Sequence, residues 1–474
     1  MSINVNSLPV TVRPALHALA ILILGLSGCT TMAPYDKPVM QVPVNFKESK
    51  LWSAARVQPD RVPDEWWLLF KDPTLDQLQV ELAQGNQNLK NSVAQYQTAR
   101  AALGISQASL APTLGGNASV GRGTSGVNSN TVANTYSVGV SASWELDVWG
   151  RLSAGVQVSQ AKLQASLDDL AAARLSLQAT LTQTYFSLRA LEAQSVSLER
   201  AVQAYQRSLE LTQNRYGAGV ASSADVAQAQ SQLKSTQAQL IEARSSRTLL
   251  EHALAVLLGK APTSFSLSPT ASLPMPPEVP VQLPATLIER RPDIAASERR
   301  VAAAYAQIGV AHASYFPALT LTGSAGYRGV DLGDLISAPN LFWSLGPALA
   351  LSMFDGGARQ ATEDSAKAAA DQAVATYRQT VLTALQEVED NLVVAASLLE
   401  EDAVQVESLT AAQKAQDVVT NQYKAGTVSY LNVVLTQATT LAVERSLLDV
   451  RNRRLQAVTQ LLKNLAGRWD KVQE

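Results

Sequence analysis

The strongest constraint on the fold is an internal duplication. Ala111-Pro112 recurs as Phe316-Pro317, 205 residues later in the chain. Tyr216-Gly217-Ala218-Gly219 recurs as Tyr423-Lys424-Ala425-Gly426, 207 residues later. Because the offset changes so little, the two copies differ in length by only a few residues. A duplication of this kind predicts two copies of one supersecondary unit, related by a pseudo-rotation.

The repeat divides the 474 residues into a predicted series of segments. These are a signal peptide (1–28), a lipid-anchored N-terminal segment (29–75), a first repeat (76–270), a Pro-rich linker (271–285), a second repeat (286–467) and a C-terminal tail (468–474). Each repeat is predicted to contain a helix, a β-hairpin, a long helix, a turn and a second helix. The hairpins are expected at 113–147 and 318–354, and the turns at 215–224 and 422–431.

The long helices follow from composition and spacing. From Arg151 to about Asn214 there is no proline and a single glycine, Gly155, while leucines recur at steps of three and four residues. At 1.5 Å per residue this segment predicts roughly 95 Å of helix. The stretch from Arg359 to Asn421 has the same character. Helices this long favour coiled-coil pairing with their neighbours.

The N-terminal residues predict export. Arg13 precedes an apolar run from Ala15 to Leu26, which is too short for a membrane-spanning helix and matches a secretory signal. Leu26-Ser27-Gly28-Cys29 resembles the bacterial lipobox, in which the cysteine is acylated after cleavage. Thr30 follows in place of the Asp that favours retention in the inner membrane, which indicates the outer membrane. The alternative is an ordinary signal peptide in which Cys29 carries no lipid.

Four segments alternate apolar and polar residues with the period of a β-strand. The apolar positions predicted to face lipid are Tyr136, Val138, Val140, Trp144, Leu319, Leu321, Leu349 and Leu351. The segment from Thr113 to Arg122 has the weakest alternation. Strands of outer-membrane barrels have this pattern over 9 to 11 residues. The alternative is a half-buried sheet of a soluble protein, which alternates in the same way.

Four strands are too few to close a barrel, because the smallest bacterial outer-membrane barrels have eight. An open sheet edge in lipid would leave backbone groups without hydrogen bonds. A membrane barrel must therefore be shared between chains. Two chains would give eight strands and three would give twelve. The strands alone leave the number of chains open.

Several motifs resemble those of the TolC-like outer-membrane efflux channels, and in particular of their lipoprotein branch, the OprM and NodT type. They are Pro34–Pro38, Trp144–Arg151, Arg290–Ile294, Phe354–Gly357 and Tyr423–Gly426. The resemblance implies a mainly α-helical protein with membrane β-strands, assembled as a homotrimer. Its 12-stranded β-barrel would be continued by a periplasmic α-helical barrel. The implied partners are a periplasmic adaptor (membrane fusion) protein, an inner-membrane pump and the lipid of the outer membrane.

The resemblance also implies a periplasmic gate near the second glycine turn. Leu431 matches the apolar member of the family's constriction, whereas Leu435 and Ala438 replace the charged residues of related channels. An apolar gate at Leu431 and Leu435 is therefore predicted, with Asp225 as the nearest acid and as a cap of its helix. The residues predicted to form the gate and the surrounding turns are Leu431, Leu435, Asp225, Tyr216, Gly219, Tyr423 and Gly426. The alternative is that Leu431 and Leu435 lie in a coiled-coil core.

Other activities find little support in the sequence. A net charge of −2 provides no basic surface for nucleic acid. One cysteine and three histidines predict no metal site and no cofactor, and His252 and His312 lack a catalytic sequence context. The segment 121–126 has the spacing of a dinucleotide fingerprint but precedes a Ser/Asn-rich stretch, so an extracellular loop is predicted instead. Arg291 and Asp293 are predicted to cap the start of a helix and to form ion pairs there.

The predicted function is that of a passive, non-enzymatic exit channel in the outer membrane. It would serve an efflux pump, with an RND-type inner-membrane transporter, and export drugs or other small toxic compounds. Two alternatives stay open: the exit channel of a type I secretion system, and a coiled-coil adaptor or structural lipoprotein of the periplasm. The cargo has no signature in the sequence.

Overall fold

The computed structural model describes residues 35–40, 46–47, 65–124, 132–270, 273–277 and 291–465. Seven α-helices lie in these ranges: α1 (Pro73–Gly85), α2 (Gln87–Ala108), α3 (Arg151–Gly217), α4 (Ser223–Leu257), α5 (Pro292–Ala313), α6 (Ala358–Lys424) and α7 (Tyr430–Leu465). Four strands accompany them: β1 (Thr113–Thr124), β2 (Val132–Leu146), β3 (Ala318–Gly329) and β4 (Leu341–Ala350). Helix α1 begins three residues before the predicted start of the first repeat.

The two long helices, α3 and α6, have 67 residues each. At 1.5 Å per residue, each is about 100 Å long. Equivalent aspartates, Asp147 and Asp355, precede the two helices. Asp147 accepts hydrogen bonds from the amides of Leu152 (2.8 Å) and Ser153 (2.7 Å), and Asp355 accepts one from the amide of Arg359 (3.3 Å). These carboxylates satisfy amides that have no partner inside the helix. Among the described helices, none combines the length and the apolar character needed to cross a bilayer.

The four strands form one antiparallel sheet in the order β1-β2-β3-β4. β1 and β3 are equivalent in the two repeats: each has 12 residues and begins directly after a proline, Pro112 or Pro317. β1 has the weakest sequence pattern and still pairs with β2 along its whole length. Residues 121–124, predicted to begin an extracellular loop, instead complete β1, so that prediction was wrong for these four residues.

β4 is shorter than the sequence pattern predicted. It ends at Ala350, so Leu351 lies one residue beyond the strand rather than within it. The reason is its partner: β3 begins with Ala318, which is opposite Ala350, and Pro317 before it has no amide hydrogen to donate. The predicted turns are also shorter, because the preceding helices continue through Gly217 and Lys424.

The chain divides into two compact units. One contains residues 96–167 and 296–377, and therefore the sheet with the helical segments that adjoin it. Its helices pack largely through buried alanines: Ala154, Ala165, Ala296, Ala303, Ala306, Ala366 and Ala370. The other unit contains residues 40–95, 168–295 and 378–474, including both glycine turns. Small side chains let helix axes approach closely, which explains how a chain with 5% aromatic residues packs its helices.

Candidate functional sites: the two sheet faces and the turn cluster

One face of the sheet is apolar across all four strands. Residues paired directly across an antiparallel sheet share a face. Val138 is opposite Ala118 on β1 and opposite Tyr327 on β3, and Leu321 is opposite both Trp144 on β2 and Pro347 on β4. We call this side the apolar face. Its members include Leu114, Ala118, Val120, Tyr136, Val138, Val140, Ala142, Trp144, Leu146, Leu319, Leu321, Ala325, Tyr327, Leu341, Trp343, Leu345, Pro347 and Leu349.

The apolar face is not covered by other parts of the described chain. Val140, Trp343 and Leu349 are all strongly exposed. Contiguous apolar surface of this extent marks a surface that contacts lipid or another protein. Seven of the eight residues predicted to face lipid lie on this face, and Leu351 follows the end of β4.

The opposite face of the sheet is polar. Hydroxyl groups pair across it: Ser119 and Ser137 lie 2.7 Å apart, and Ser324 and Ser344 lie 2.8 Å apart, between Oγ atoms. The Arg328 guanidinium lies over the Phe342 ring, 5.1 Å from its centroid. Such side chains are suited to water, so the two faces of the sheet are suited to different solvents.

The outermost strands, β1 and β4, each pair with a single neighbour among the described strands. Each therefore has one row of backbone amides and carbonyls that no other described strand completes. In water such an edge can be solvated, whereas in hydrocarbon each unpaired group costs several kcal/mol.

A second region gathers the helix ends around both glycine turns. Its buried side chains come from α3, α4, α6 and α7, and we call them the turn cluster: Leu198, Tyr205, Leu209, Ala229, Leu233, Leu240, Ala243, Tyr423, Tyr430, Val433, Val434 and Leu441. The first and second repeats thus share one core here. Burial raises the pKa of Tyr205 and of Tyr430, so both hydroxyls stay protonated over a wide pH range.

Polar contacts in the turn cluster join one repeat to the other. Arg215, at the end of α3, donates from Nη1 to the carbonyl oxygen of Tyr423 at 2.9 Å, and its guanidinium lies 4.6 Å from the Tyr423 ring centroid. The hydroxyls of Tyr430 and Ser208 lie 3.1 Å apart. Tyr205 donates its hydroxyl hydrogen to the carbonyl of Gln437 at 3.1 Å. These contacts fix the second glycine turn against α3.

The two glycine turns have the same geometry. Gly219 and Gly426 have φ angles of +72° and +80°, in the left-handed region that favours glycine. The next amide in each turn closes back on the helix: Val220 donates to the Arg215 carbonyl at 2.8 Å, and Thr427 donates to the Gln422 carbonyl at 3.0 Å. This is the Schellman arrangement of a helix end.

Asp225 does not occupy the cap position that the sequence predicted. Ser222 is the N-cap of α4, and Asp225 is the third helical residue. The Asp225 carboxylate accepts hydrogen bonds from the amide (2.9 Å) and the hydroxyl (2.8 Å) of Ser222, while the Ser222 hydroxyl accepts from the Asp225 amide at 3.2 Å. This reciprocal capping box engages the carboxylate locally.

Leu431 and Leu435 lie on the free face of α7. Their exposures are 52% and 56%, whereas Val433 and Val434 between them are 1% and 4% exposed and belong to the turn cluster. Within one chain, therefore, the two leucines are not core residues of the helix packing. Tyr216 is also exposed, next to the first turn.

Of the remaining residues that the sequence singles out, Arg291 and His312 have structural partners, whereas His252 is exposed. Arg291 is buried and pairs with Asp293 at 2.7 Å and Glu387 at 2.9 Å. His312 Nδ1 lies 3.7 Å from Glu363 Oε2. Over the described ranges, no group of three or more His, Cys, Asp or Glu could hold a metal ion. Cys29 lies outside the described residues.

Sequence reasoning missed Arg215, Ser208 and Tyr205. A basic residue in the last turn of a helix is the one local signal available for Arg215. Its partner Tyr423 is 208 residues away, so nothing in the local sequence identifies the contact.

Comparison with known proteins identifies the class. The family model described as outer membrane efflux protein matches the chain twice, over residues 78–260 and 283–467. The chain therefore belongs to the outer membrane efflux protein family. The predicted fold class, function and location are confirmed at this level: it is a mainly helical outer-membrane component of an efflux system. Members of the family form channels and are not enzymes.

Individual relatives match over nearly their full length. The pyoverdine export outer membrane protein OpmQ of Pseudomonas aeruginosa is 32% identical over 464 residues, which cover 95% of this chain and 96% of OpmQ. The solvent efflux pump outer membrane protein SrpC of Pseudomonas putida is 29% identical, with 96% and 98% covered. The solved structure of the outer-membrane channel OprN has a TM-score of 0.85 at 30% identity, covering 93% of this chain and all of OprN.

Proposed function

We propose that three copies of this chain form one passive exit channel across the outer membrane. The observation that carries the proposal is the four-stranded sheet, with its exposed apolar face and two edge strands that each have a single partner. Three copies bring twelve strands, which close a barrel with an open lumen, whereas two would fill theirs with side chains. The polar face then lines a water-filled passage and the apolar face meets lipid.

The channel takes its energy from elsewhere and performs no catalysis. A periplasmic adaptor and an inner-membrane transporter, of the RND type, would deliver the cargo. That cargo consists of drugs or other small toxic compounds. The name of SrpC gives solvents as the cargo of that protein, whereas the name of OpmQ gives pyoverdine. Lipid attached to Cys29 would anchor the N-terminus in the outer membrane. A periplasmic adaptor lipoprotein is less consistent with the structure, because it would have no use for an exposed apolar sheet face.

In this channel, Leu431 and Leu435 form the gate. Their side chains are exposed on α7, while Val433 and Val434, which lie between them in the sequence, anchor the same helix turn in the turn cluster. Three copies would bring six leucine side chains to one constriction, where apolar walls hinder ions by expelling water. Asp225 contributes little to this gate, because its carboxylate is engaged by the amide and hydroxyl of Ser222 in the capping box of α4.

Bilayer recording of the purified, full-length protein tests both parts. We expect heat-modifiable trimers in detergent that insert and conduct. Leu431→Ser should raise the single-channel conductance several-fold, because a hydroxyl stabilises water in the constriction. Ile241→Ser, at an exposed apolar position on α4 of the first repeat, is the matched control and should conduct like wild type. A monomer that never conducts would refute the channel, and equal conductance of Leu431→Ser and wild type would refute the gate.

A further inference from the structure

The internal duplication contains information on how neighbouring copies pair. Within one chain, β2 of the first repeat pairs with β3 of the second. This contact joins the second strand of the first repeat to the first strand of the second repeat. We call it the intrachain seam. If the proposed assembly is right, β4 and β1 make the equivalent contact between two copies. The intrachain seam then supplies its register.

The strand equivalences needed for this transfer can be read from the chain. β1 and β3 correspond at an offset of 205, because Thr113 and Ala318 both follow a proline and both strands have 12 residues. β2 and β4 correspond at an offset of 207, because 136–139 (Tyr-Ser-Val-Gly) matches 343–346 (Trp-Ser-Leu-Gly). The same offset separates the two glycine turns, at Gly219 and Gly426.

These offsets convert each pair of the intrachain seam into a pair between copies. Ala142 is opposite Gly323 in the intrachain seam. Their counterparts are Leu349 and Ala118. We propose that β4 of one copy pairs antiparallel with β1 of the next in this register, with Leu349 opposite Ala118. The same rule places Pro347 opposite Val120 and Ala350 opposite Asn117.

The register keeps the two faces of the sheet continuous across the contact. Leu349, Pro347, Ala118 and Val120 all belong to the apolar face, whereas Asn117 belongs to the polar face. Side chains alternate with a period of two, so a shift by one residue would place apolar side chains of one copy beside polar ones of the next. Val120 is 74% exposed and Leu349 67% exposed in the single chain, as expected of an uncovered contact surface.

The register also accounts for the exposed apolar residues just past β4. It places Leu351 opposite Gly116 and Met353 opposite Leu114. Met353 and Leu114 are 93% and 81% exposed in one chain. Because β1 begins at Thr113, it offers partners to residues 351–354, whereas β3, which begins opposite Ala350, does not. β4 is therefore extended by assembly, and Leu351 becomes a strand residue only then.

Disulfide cross-linking tests the register in the full-length protein. Directly opposed residues of an antiparallel pair have Cα atoms about 4.5 to 5.5 Å apart, within reach of a disulfide. Ala118→Cys combined with Leu349→Cys should, on mild oxidation, give a covalent ladder of dimer and trimer that ends at three chains and returns to monomer on reduction. Ala142→Cys with Gly323→Cys, the equivalent pair of the intrachain seam, is the matched control and should give only monomer.

A second set of variants makes the register refutable. Ala118→Cys with Leu351→Cys keeps both residues on the apolar face but shifts the pairing by two, to about 7 to 8 Å, so it should cross-link at least tenfold more slowly. Asn117→Cys with Ala350→Cys tests the same register with a pair on the polar face. It should give the same ladder of dimer and trimer, and it replaces the first pair if Ala118→Cys with Leu349→Cys assembles poorly. Variants with a single introduced cysteine control for disulfides formed with Cys29, the only native cysteine.

The outcomes separate this inference from the proposed function. Trimers in which the shifted pair cross-links faster than Ala118 and Leu349 would overturn the register and leave the channel intact. Protein that light scattering shows to be a single chain, with no intermolecular cross-link from either pair, would overturn both.

Discussion

The sheet and the turn cluster complete their contacts in different ways. In the turn cluster, helices of both repeats enclose a common core, and Arg215, Tyr205 and Tyr430 find partners on the other repeat within the same chain. In the sheet, the same two repeats contribute two strands each, and the result has open edges and an uncovered apolar face.

The difference follows from the hydrogen bonding of the two structures. A helix satisfies its backbone groups internally, so two repeats suffice to bury its apolar stripe. A strand satisfies its backbone only through neighbours, so a sheet in lipid has to close on itself. Disturbing the sheet should therefore reduce assembly into trimers, whereas disturbing the turn cluster should reduce the local stability of each single chain.

The largest effect is expected from a charge on the apolar face. Val140 lies in the middle of β2, opposite Gly116 and Ala325, so Val140→Arg has room and its effect is not steric. An arginine at the bilayer midplane costs about 2–4 kcal/mol, and an assembly of three would carry three of them. We expect the amount of heat-modifiable trimer in outer-membrane fractions to fall at least tenfold.

The neighbouring residue provides the control for Val140. Ser141→Arg adds the same side chain to the polar face and should leave trimer levels within twofold of wild type. Equal loss in both variants would show that the two faces of the sheet do not meet different solvents.

An intermediate effect is expected from the contact between α3 and the second glycine turn. Arg215→Met keeps much of the side-chain volume but removes the hydrogen bond to the Tyr423 carbonyl and the charge over the Tyr423 ring. A hydrogen bond involving a charged group contributes about 1.5–3 kcal/mol. Amides of residues 423–430 should exchange hydrogen roughly ten- to a hundredfold faster, at unchanged trimer content.

Arg207→Met removes an exposed arginine from the same helix and should leave this exchange unchanged. If Arg215→Met instead dissociates the trimer without changing exchange in the turn, the distinction between the two regions would be wrong.

The sequence predicted those features that depend on local periodicity. Leucines at three- and four-residue spacing, without proline, predicted α3 from Arg151 to about Asn214, and the helix ends at Gly217. Alternation predicted which side chains of β2 share a face. The weak pattern around Val120 still forms a strand, because β2 offers it a full set of backbone partners. Pairing thus overrides a poor local signal.

Features that depend on distant partners were not predictable in this way. The end of β4 at Ala350 is set by where β3 begins, and the role of Arg215 is set by Tyr423. The sequence predicted Asp225 as the N-cap of α4, but the N-cap is Ser222. Both residue types favour this position, and only the geometry separates them. The gate at Leu431 and Leu435 stays a prediction.

The smallest effect concerns the response to alkaline pH of a buried tyrosine, Tyr185, in the unit that contains both glycine turns. Burial, together with a hydrogen bond to Asp72 Oδ2 at 2.7 Å, raises the pKa of Tyr185 to about 12. In the unfolded chain a tyrosine ionises near pH 10. Between these values the unfolded state loses a proton that the folded state keeps, so the contribution of Tyr185 to stability is intact below about pH 10 and is lost as pH rises through about 12.

Tyr185→Phe should therefore flatten the fall in the urea midpoint between pH 10 and 12, measured by circular dichroism in detergent, while lowering that midpoint slightly at pH 8. Tyr216→Phe, at an exposed tyrosine, should keep the wild-type slope. Because Tyr185 and Asp72 belong to one chain, the slope should not change with protein concentration. A slope that did depend on concentration would place the stabilising contacts of this helical region between copies, as in the sheet, and would remove the contrast between the two regions.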